Sequence, residues 1–183
     1  MEKSEARRLA KEYRKSLNPT VKTDMDGAIT RAFLSLDEVK NARKICVYLS
    51  IHNEVDTSEI ISTLIASGKT LYAPVVVGDY MVAKTLTSTH ELKQGAFGIL
   101  EPQGETVNPS EFDLIIVPMV AFNANLARIG YGKGYYDRFL PNGVKTIGLA
   151  YSGQKFDFTP QSFDKPLDII VTNDGVLYAN NCR

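Results

Sequence analysis

The 183-residue chain contains few of the residues that build covalent or metal-based sites. It has two cysteines, Cys46 and Cys182, which are too few for a disulfide framework or a zinc-ligand set. The simplest interpretation is a protein of a reducing, cytoplasmic setting. Its two histidines, His52 and His90, are too isolated to support a catalytic triad or a metal site, and we assign neither of them a role.

An excess of charge of one sign and a long apolar run are also missing. Lysine and arginine together number 21, as do aspartate and glutamate, so the formal net charge is zero and no broad basic field could gather nucleic acid. No segment approaches the ~18 apolar residues that a membrane span needs, and the first residues are charged rather than an apolar signal core. We therefore expect no nucleic-acid partner, no membrane association and a cytoplasmic location.

The remaining composition is typical of a globular protein, with 44% hydrophobic and 23% charged residues. The length suits one domain, and we predict a single domain over residues 1–183. Amphipathic patterns and helix end signals predict four helices, at about residues 4–17, 23–36, 56–68 and 135–140. The polar, turn-rich stretch at residues 101–110 is interpreted as a surface loop.

Short apolar runs predict the strands, at about residues 45–49, 70–77, 80–86, 113–117, 146–151, 168–172 and 176–178. Because most of these runs are apolar along their length and alternate with helices, the predicted fold is α/β. It is a three-layer sandwich with helices on both faces of a mainly parallel sheet. Ligands bind at the carboxyl ends of the strands in such sheets. Three loops that follow strands could meet there, at residues 50–56, 128–138 and 151–168.

The string RIGYGKGYYDR at residues 128–138 carries the strongest functional signal. Glycines at alternate positions let a backbone approach a ligand closely, and N–H groups in such a loop can hold phosphate oxygens. Arg128 and Lys133 add positive charge, and Asp137 adds an oxygen ligand that suits magnesium. The string matches neither the phosphate-loop motif nor the dinucleotide fingerprint in its spacing. It nevertheless indicates nucleotide chemistry.

Together with residues 113–118 and 121–122, this string resembles the signature of the 5-formyltetrahydrofolate cyclo-ligase family, also called methenyltetrahydrofolate synthetases. Residues 48–57 resemble the folate-contacting loop of that family, and Lys3 and Arg7 resemble the basic pair that opens its first helix. The C-terminal part, residues 148–151 and 164–168, also fits. These motifs occur in the same order as in the family, and they span nearly the whole chain.

This resemblance implies an ATP- and magnesium-dependent enzyme that converts 5-formyltetrahydrofolate to 5,10-methenyltetrahydrofolate and releases ADP and phosphate. It implies small-molecule substrates, and we expect a monomer. Its catalytic residues would be Arg128, Lys133 and Tyr135. ATP would be bound by Lys3, Ser4, Arg7, Arg128, Gly130, Gly132, Lys133, Gly134, Tyr135 and Tyr136. Folate would be bound by Ile51, Glu54, Asp56, Tyr131 and Tyr135, and magnesium by Asp137 and Asp164.

Several of these residues also have a plainer interpretation. Four basic residues of the first helix, at spacings of 4, 4 and 3, could form a solvated face; they are Lys3, Arg7, Lys11 and Arg14. Asp137 could cap or pair on the helix after the glycine-rich loop. Asp56 could be a helix N-cap, so either Asp56 or Glu54 could be the main folate contact.

The chain departs from the family pattern at four positions. Family members often carry aspartate where Asn123 stands, glycine at Leu126, arginine at Tyr131 and histidine at Phe163. These departures keep two other functions open. One is a folate- or nucleotide-binding protein with weak or no turnover, and the other is a small-molecule kinase with a different acceptor. For Tyr131, the ring could pack on the folate where an arginine would contact phosphate.

Overall fold

The computed structural model describes residues 1–89, 92–162 and 164–179. His90, Phe163 and Cys182, which were considered above, lie outside these ranges. The described helices are α1 (Lys3–Ser16), α2 (Pro19–Ser35), α3 (Asp37–Asn41), α4 (Ser58–Ala66) and α5 (Tyr135–Phe139). None of the helices in the described ranges has the length and apolar character required to cross a membrane.

Helix α2 begins four residues before the predicted start. Asn18 Oδ1 accepts a hydrogen bond from the Thr20 backbone N–H at 2.9 Å, and Pro19 occupies the first helical position. Proline is favoured there because its missing N–H would have no intrahelical partner. The Asn18-Pro19 pair therefore starts the second helix, in addition to following the end of the first.

Eight strands form one sheet in the order β12-β11-β10-β7-β1-β2-β3-β6. They are β1 (Lys44–Val47), β2 (Thr70–Val77), β3 (Tyr80–Leu86), β6 (Thr106–Val107), β7 (Leu114–Pro118), β10 (Lys145–Leu149), β11 (Ile169–Thr172) and β12 (Gly175–Tyr178). Strands β11, β10, β7, β1 and β2 are parallel to their neighbours in this series, while β12 and β3 pair antiparallel at its two ends. The predicted mainly parallel sheet is confirmed.

Four further strands form two small ribbons. Strand β4 (Lys93–Gln94) pairs with β5 (Leu100–Glu101), and β8 (Ala121–Phe122) pairs with β9 (Arg128–Ile129). The interpretation of residues 101–110 as a loop was wrong in part, because β6 lies inside it and pairs with β3. Two-residue strands are too short to produce a periodic pattern in the sequence.

Side chains alternate between two apolar layers, one on each face of the sheet. Ile45 and Val47 of β1 pack in a cluster with residues of α2, α3 and α4, whereas Cys46 between them packs in a second cluster with α5 and the segments around it. Helices therefore cover both faces, as predicted for the α/β sandwich. A third cluster places α1 against the β8–β9 ribbon, which orders the glycine-rich segment that follows β9.

Candidate active site

A cavity of about 660 Å³ opens beside the carboxyl ends of β1, β2 and β7. Its wall contains residues from α1, from the loop after β1, from the glycine-rich loop, and from the long loop between β10 and β11. The three loops predicted to meet at this edge all contribute to the cavity. The placement follows from the parallel sheet, whose strands end side by side.

The glycine-rich loop spans residues 130–134, between β9 and α5, and its shape requires glycine. Gly132 and Gly134 have φ angles of 98° and 68°, in the left-handed region that other residues resist. Arg7 Nε donates to the Gly130 carbonyl at 2.9 Å, and Arg138 Nη2 donates to the Lys133 carbonyl at 3.1 Å. Arginines from α1 and α5 thus hold the loop from both sides.

Four cations of the predicted ATP site line this cavity: Lys3, Arg7, Arg128 and Lys133. Arg128 is buried, and its Nη2 donates to Asp137 Oδ1 at 2.6 Å. Its guanidinium also lies 5.9 Å from the centre of the Tyr136 ring. The arrangement concentrates positive charge next to the glycine-rich loop, which is a favourable environment for phosphate.

The two carboxylates proposed for magnesium, Asp137 and Asp164, both line the cavity. Asp164 is paired with Lys3 and accepts a bond from the Gln161 backbone N–H at 2.6 Å. Within the described ranges, no group of three or more His, Cys, Asp and Glu side chains could hold a metal ion. A pair of carboxylates fits magnesium, which commonly takes one or two protein carboxylates and completes its shell with phosphate and water oxygens.

Glu54, in the loop between β1 and α4, is 6% exposed and lines the cavity. Its Oε2 accepts from the Ile51 backbone N–H at 2.9 Å, and its Oε1 accepts from the Tyr131 hydroxyl at 2.7 Å. Burial raises the pKa of this carboxyl, although both hydrogen bonds and the charge of Arg14 oppose the shift. Ile51 forms an apolar part of the same wall.

Asp56 and Ser4 are exposed, and neither lines the cavity. Asp56 Oδ1 accepts from the backbone N–H and the hydroxyl of Ser58 at 2.8 and 2.6 Å, at the start of α4. Burial raises the pKa of the Asp56 carboxyl, but the hydrogen bonds from Ser58 and the Lys22 charge outweigh it and lower the pKa overall. Thr57 is the N-cap residue of α4, so Asp56 lies one position before the cap and has a local structural role there. Of the two carboxylates of this loop, Glu54 is the one that lines the cavity.

Arg14 is 6% exposed, so the interpretation of its side chain as part of a solvated face was wrong. Its Nη2 donates to the Tyr131 hydroxyl at 3.0 Å. Burial raises the pKa of Tyr131 to about 12, and the nearby Glu54 charge adds to the shift. A sequence signal was present: Ala6, Ala10 and Arg14 are spaced by four and share the buried face of α1.

Two of the four departures from the family pattern have a structural explanation, and neither residue lines the cavity. Leu126 has a φ of 59°, a conformation that glycine adopts easily and that costs other residues about 1–2 kcal/mol. Its side chain is buried in the second apolar cluster, which offsets that cost. Asn123 Nδ2 donates to the Phe158 carbonyl at 3.1 Å, a bond that an ionised aspartate could not make.

Several residues of the cavity wall were not predicted from the sequence. Phe97 and Ile99, near the β4–β5 ribbon, line it, and so does His52, to which no role was assigned. Phe97 is 68% exposed and has a φ of 56°. Its position between Gly95 and Gly98 was the only local sign of a special conformation. Pro74, Val76 and Met81 of the β2–β3 hairpin complete an apolar side of the cavity. The cavity therefore offers cations and backbone donors for phosphate beside apolar and aromatic surface for a flat ring.

Comparison with known proteins finds similarity along nearly the whole chain. The model of the 5-formyltetrahydrofolate cyclo-ligase family matches residues 1–173. A protein named 5-formyltetrahydrofolate cyclo-ligase from Haemophilus influenzae is 31% identical over 173 residues, which cover 88% of this chain and 92% of that protein.

The chain is also similar to solved structures of two 5,10-methenyltetrahydrofolate synthetases. The NMR structure of the 5,10-methenyltetrahydrofolate synthetase of Aquifex aeolicus superposes with a TM-score of 0.89 at 35% identity, covering 100% of this chain and 95% of that one. The 5,10-methenyltetrahydrofolate synthetase of Mycoplasma pneumoniae superposes with a TM-score of 0.78 at 28% identity, covering 94% and 99%.

Proposed function

The chain belongs to the 5-formyltetrahydrofolate cyclo-ligase family, and we propose that it converts 5-formyltetrahydrofolate to 5,10-methenyltetrahydrofolate with consumption of ATP. The observation that carries this proposal is the composition of one cavity. Four cations and a glycine-rich loop share it with a buried carboxylate and an apolar wall. Such a cavity can place a phosphate donor and a flat heterocycle side by side.

The chemistry explains why ATP is required. A formamide carbonyl is a poor electrophile, and its oxygen is a poor leaving group. Transfer of the γ-phosphoryl group to the formyl oxygen releases ADP and creates an iminium-like carbon. The neighbouring folate amine attacks that carbon and loses its proton, and the C–O bond then breaks to release phosphate. The protein has to align the two substrates and stabilise the developing charge.

Residues of α1 and of the segment around the glycine-rich loop would bind the phosphate groups in this reaction. We assign Lys3, Arg7, Arg128 and Lys133 to the phosphate oxygens, because they are the cations of the cavity wall named above. Backbone N–H groups of residues 130–134 would add donors. Tyr135 and Tyr136 also line the cavity, and the Tyr135 hydroxyl donates to the Gly78 carbonyl at 3.1 Å, which fixes its ring.

Asp137 and Asp164 would hold magnesium in this proposal. When bound, the ion would neutralise charge on the phosphate oxygens. Both carboxylates are neutralised by cations of the same cavity, Arg128 and Lys3, so metal and phosphate binding would exchange these partners. Asp137→Asn should therefore raise the magnesium concentration needed for half-maximal activity while thermal unfolding changes little. An unchanged magnesium titration would contradict the assignment.

Four residues that line the cavity would bind the folate: Glu54, Ile51, Tyr131 and Tyr135. A buried carboxylate can accept hydrogen bonds from the amino and ring N–H groups of a pterin. The apolar and aromatic side chains can cover its faces. Ser4 and Asp56, which were predicted as ligands of ATP and folate, lie outside the wall and receive no part in this proposal.

The test is direct. The purified protein is mixed with Mg-ATP and 5-formyltetrahydrofolate, and the absorbance of the methenyl product and the release of phosphate are followed together. Equal amounts of both products support the proposed reaction. Folate binding without either product would support a binding protein, and phosphate transfer without methenyl absorbance would support a kinase with another acceptor. Size-exclusion chromatography of the same preparation tests the expected monomer.

A further inference from the structure

Arg14 is a buried charge with no role in the reaction described so far. It lies on the face of α1 that also carries Ala6 and Ala10, and the small side chains of these alanines let α1 approach the β8–β9 ribbon. Its Nη1 is 3.5 Å from the Met119 carbonyl, a long hydrogen bond. Its Nε is buried and has no hydrogen-bond partner within the part of the chain that the structure describes. A buried arginine is costly unless a charge compensates it.

The compensating charge is Glu54, and Tyr131 connects the two. Arg14 Nη2 donates to the Tyr131 hydroxyl at 3.0 Å, and that hydroxyl lies 2.7 Å from Glu54 Oε1. Arginine has only donors, so the hydroxyl oxygen must accept from Arg14. Its single proton then points to Glu54, which must accept. The direction of both hydrogen bonds is therefore fixed by the arginine.

We propose that Arg14 is a positioning residue for substrate binding: acting through the Tyr131 hydroxyl, it keeps the Glu54 carboxylate ionised and turned toward the folate ring. This inference rests on the proposed function of the cavity. It also gives a reason for tyrosine at position 131, since the hydroxyl is the link that a phosphate-directed arginine would not provide.

The electrostatic environment of Glu54 makes Arg14 the important partner. Arg14, His52 and Tyr131 act directly on the Glu54 carboxylate. The titratable and charged side chains around these groups are Lys11, Lys22, Asp26, Tyr48, Arg128, Tyr136 and Tyr151. Among the cations that act on the Glu54 carboxylate, Arg14 is the one that is linked to it through the Tyr131 hydroxyl. Removing Arg14 would leave the Glu54 carboxylate buried without its main positive neighbour. The protonated, neutral form of Glu54 would then be more populated.

The experiment compares four variants with the parent protein. Arg14→Met removes the charge, Arg14→Lys keeps a charge but loses the planar fork, and Tyr131→Phe removes only the connecting hydroxyl. Arg8→Met is the matched control, because Arg8 is on the same helix, is exposed and pairs with Glu12. Michaelis constants for ATP and for 5-formyltetrahydrofolate are measured across pH, with thermal unfolding and calorimetric binding of 5-formyltetrahydrofolate beside them.

We expect Arg14→Met and Tyr131→Phe to raise the Michaelis constant for 5-formyltetrahydrofolate about tenfold, as for the loss of one hydrogen bond to a charged group. The constant for ATP should change little. The acid limb of kcat/KM for folate should move to higher pH in Arg14→Met, because the pKa of Glu54 rises when the cation is lost. In Arg14→Lys, the acid limb should stay near its position in the parent. Arg8→Met should have the same Michaelis constants and the same acid limb as the parent.

Equal losses for ATP and folate with an unmoved acid limb would show that Arg14 has a structural role only, and would overturn the inference. If Arg14→Met does not fold, Tyr131→Phe decides the question alone, since it deletes one oxygen atom. An active parent with unchanged Tyr131→Phe kinetics also overturns the inference and leaves the proposed function intact. A parent that neither binds nor converts 5-formyltetrahydrofolate overturns the proposed function, and the inference with it.

Discussion

Two loops of the cavity wall present opposite charges, and each is held by different hydrogen bonds. The loop between β1 and α4 turns a carboxylate inward, and Glu54 is fixed by donors from Ile51 and Tyr131. The loop between β9 and α5 turns its backbone and its cations toward the cavity, and it is fixed by Arg7 and Arg138. One loop buries a negative charge, and the other gathers positive charge around left-handed glycines.

The comparison shows which physical property each half of the site depends on. The glycine-rich loop needs a particular backbone conformation and charge, and both are visible in its composition. The β1–α4 loop needs the burial of one carboxylate and the exposure of another two residues away. Glu54 has a raised pKa and Asp56 a lowered one, although both belong to the same short segment. Changes at Glu54 and changes at the glycines of the glycine-rich loop should therefore separate the use of folate from the use of ATP, with Tyr131 belonging to the folate side.

The largest effect should come from Arg128, the buried cation on the phosphate side. Arg128→Met removes a charge beside the phosphate and leaves Asp137 without its partner. We expect kcat to fall roughly 100-fold, as when a preorganised charge-stabilising donor is lost, and unfolding free energy to fall by about 1.5–3 kcal/mol. Arg128→Lys keeps a charge, so its kcat and its free energy of unfolding should lie between those of the parent and those of Arg128→Met. Full activity in Arg128→Met would remove this residue from the site.

Glu54→Gln should act on the folate side alone. The Michaelis constant for 5-formyltetrahydrofolate should rise about tenfold, while that for ATP stays near the parent value. A raised folded pKa means that the protonated form stabilises the fold below the unfolded value of about 4.3, and that this contribution is lost as pH rises through the folded value. In urea unfolding at increasing pH, the free energy of unfolding of Glu54→Gln should therefore rise relative to that of the parent. A constant difference would contradict this sign.

A pair of glycine variants separates backbone strain from the function of the glycine-rich loop. Gly134 and Gly143 have φ angles of 68° and 82°, so an alanine at either should cost about 1–2 kcal/mol of stability. A Cβ at Gly134 would lie 2.8 Å from Arg138 Nη1, whereas one at Gly143 would meet nothing within 4 Å. Only Gly134→Ala should raise the Michaelis constant for ATP. Equal ATP kinetics in the two variants would show that Arg138 does not shape the loop.

The smallest effect should come from Asp56, the outward carboxylate. Asp56→Ala removes the acceptor for Ser58 at the start of α4 and should cost about 1 kcal/mol of stability, measured by urea denaturation. The Michaelis constant for folate should not change. Asp56→Asn keeps an acceptor and should recover most of the stability. A raised folate constant in Asp56→Ala would return Asp56 to the substrate site and weaken the contrast with Glu54.

The sequence by itself determined the longer strands of the large sheet, the α/β architecture and the glycine-rich loop. Apolar runs report burial on both faces of a sheet, and glycines at alternate positions report an unusual backbone; both signals are local. The family signature is also local, since it consists of contiguous residues. For the same reason the prediction identified most of the cavity wall, from Lys3 through Asp164.

Only the tertiary structure decided which charged side chains are buried. On helix α1, the spacing of Ala6, Ala10 and Arg14 indicates one shared face, but the sequence does not show which distant residues cover that face and pair with Arg14. The β8–β9 ribbon and Tyr131, more than 100 positions along the chain, cover that face. The loop after β1 likewise offered two carboxylates, and the contact with Tyr131 selected Glu54. Burial and the resulting pKa depend on segments that are distant in sequence, so no local pattern can specify them.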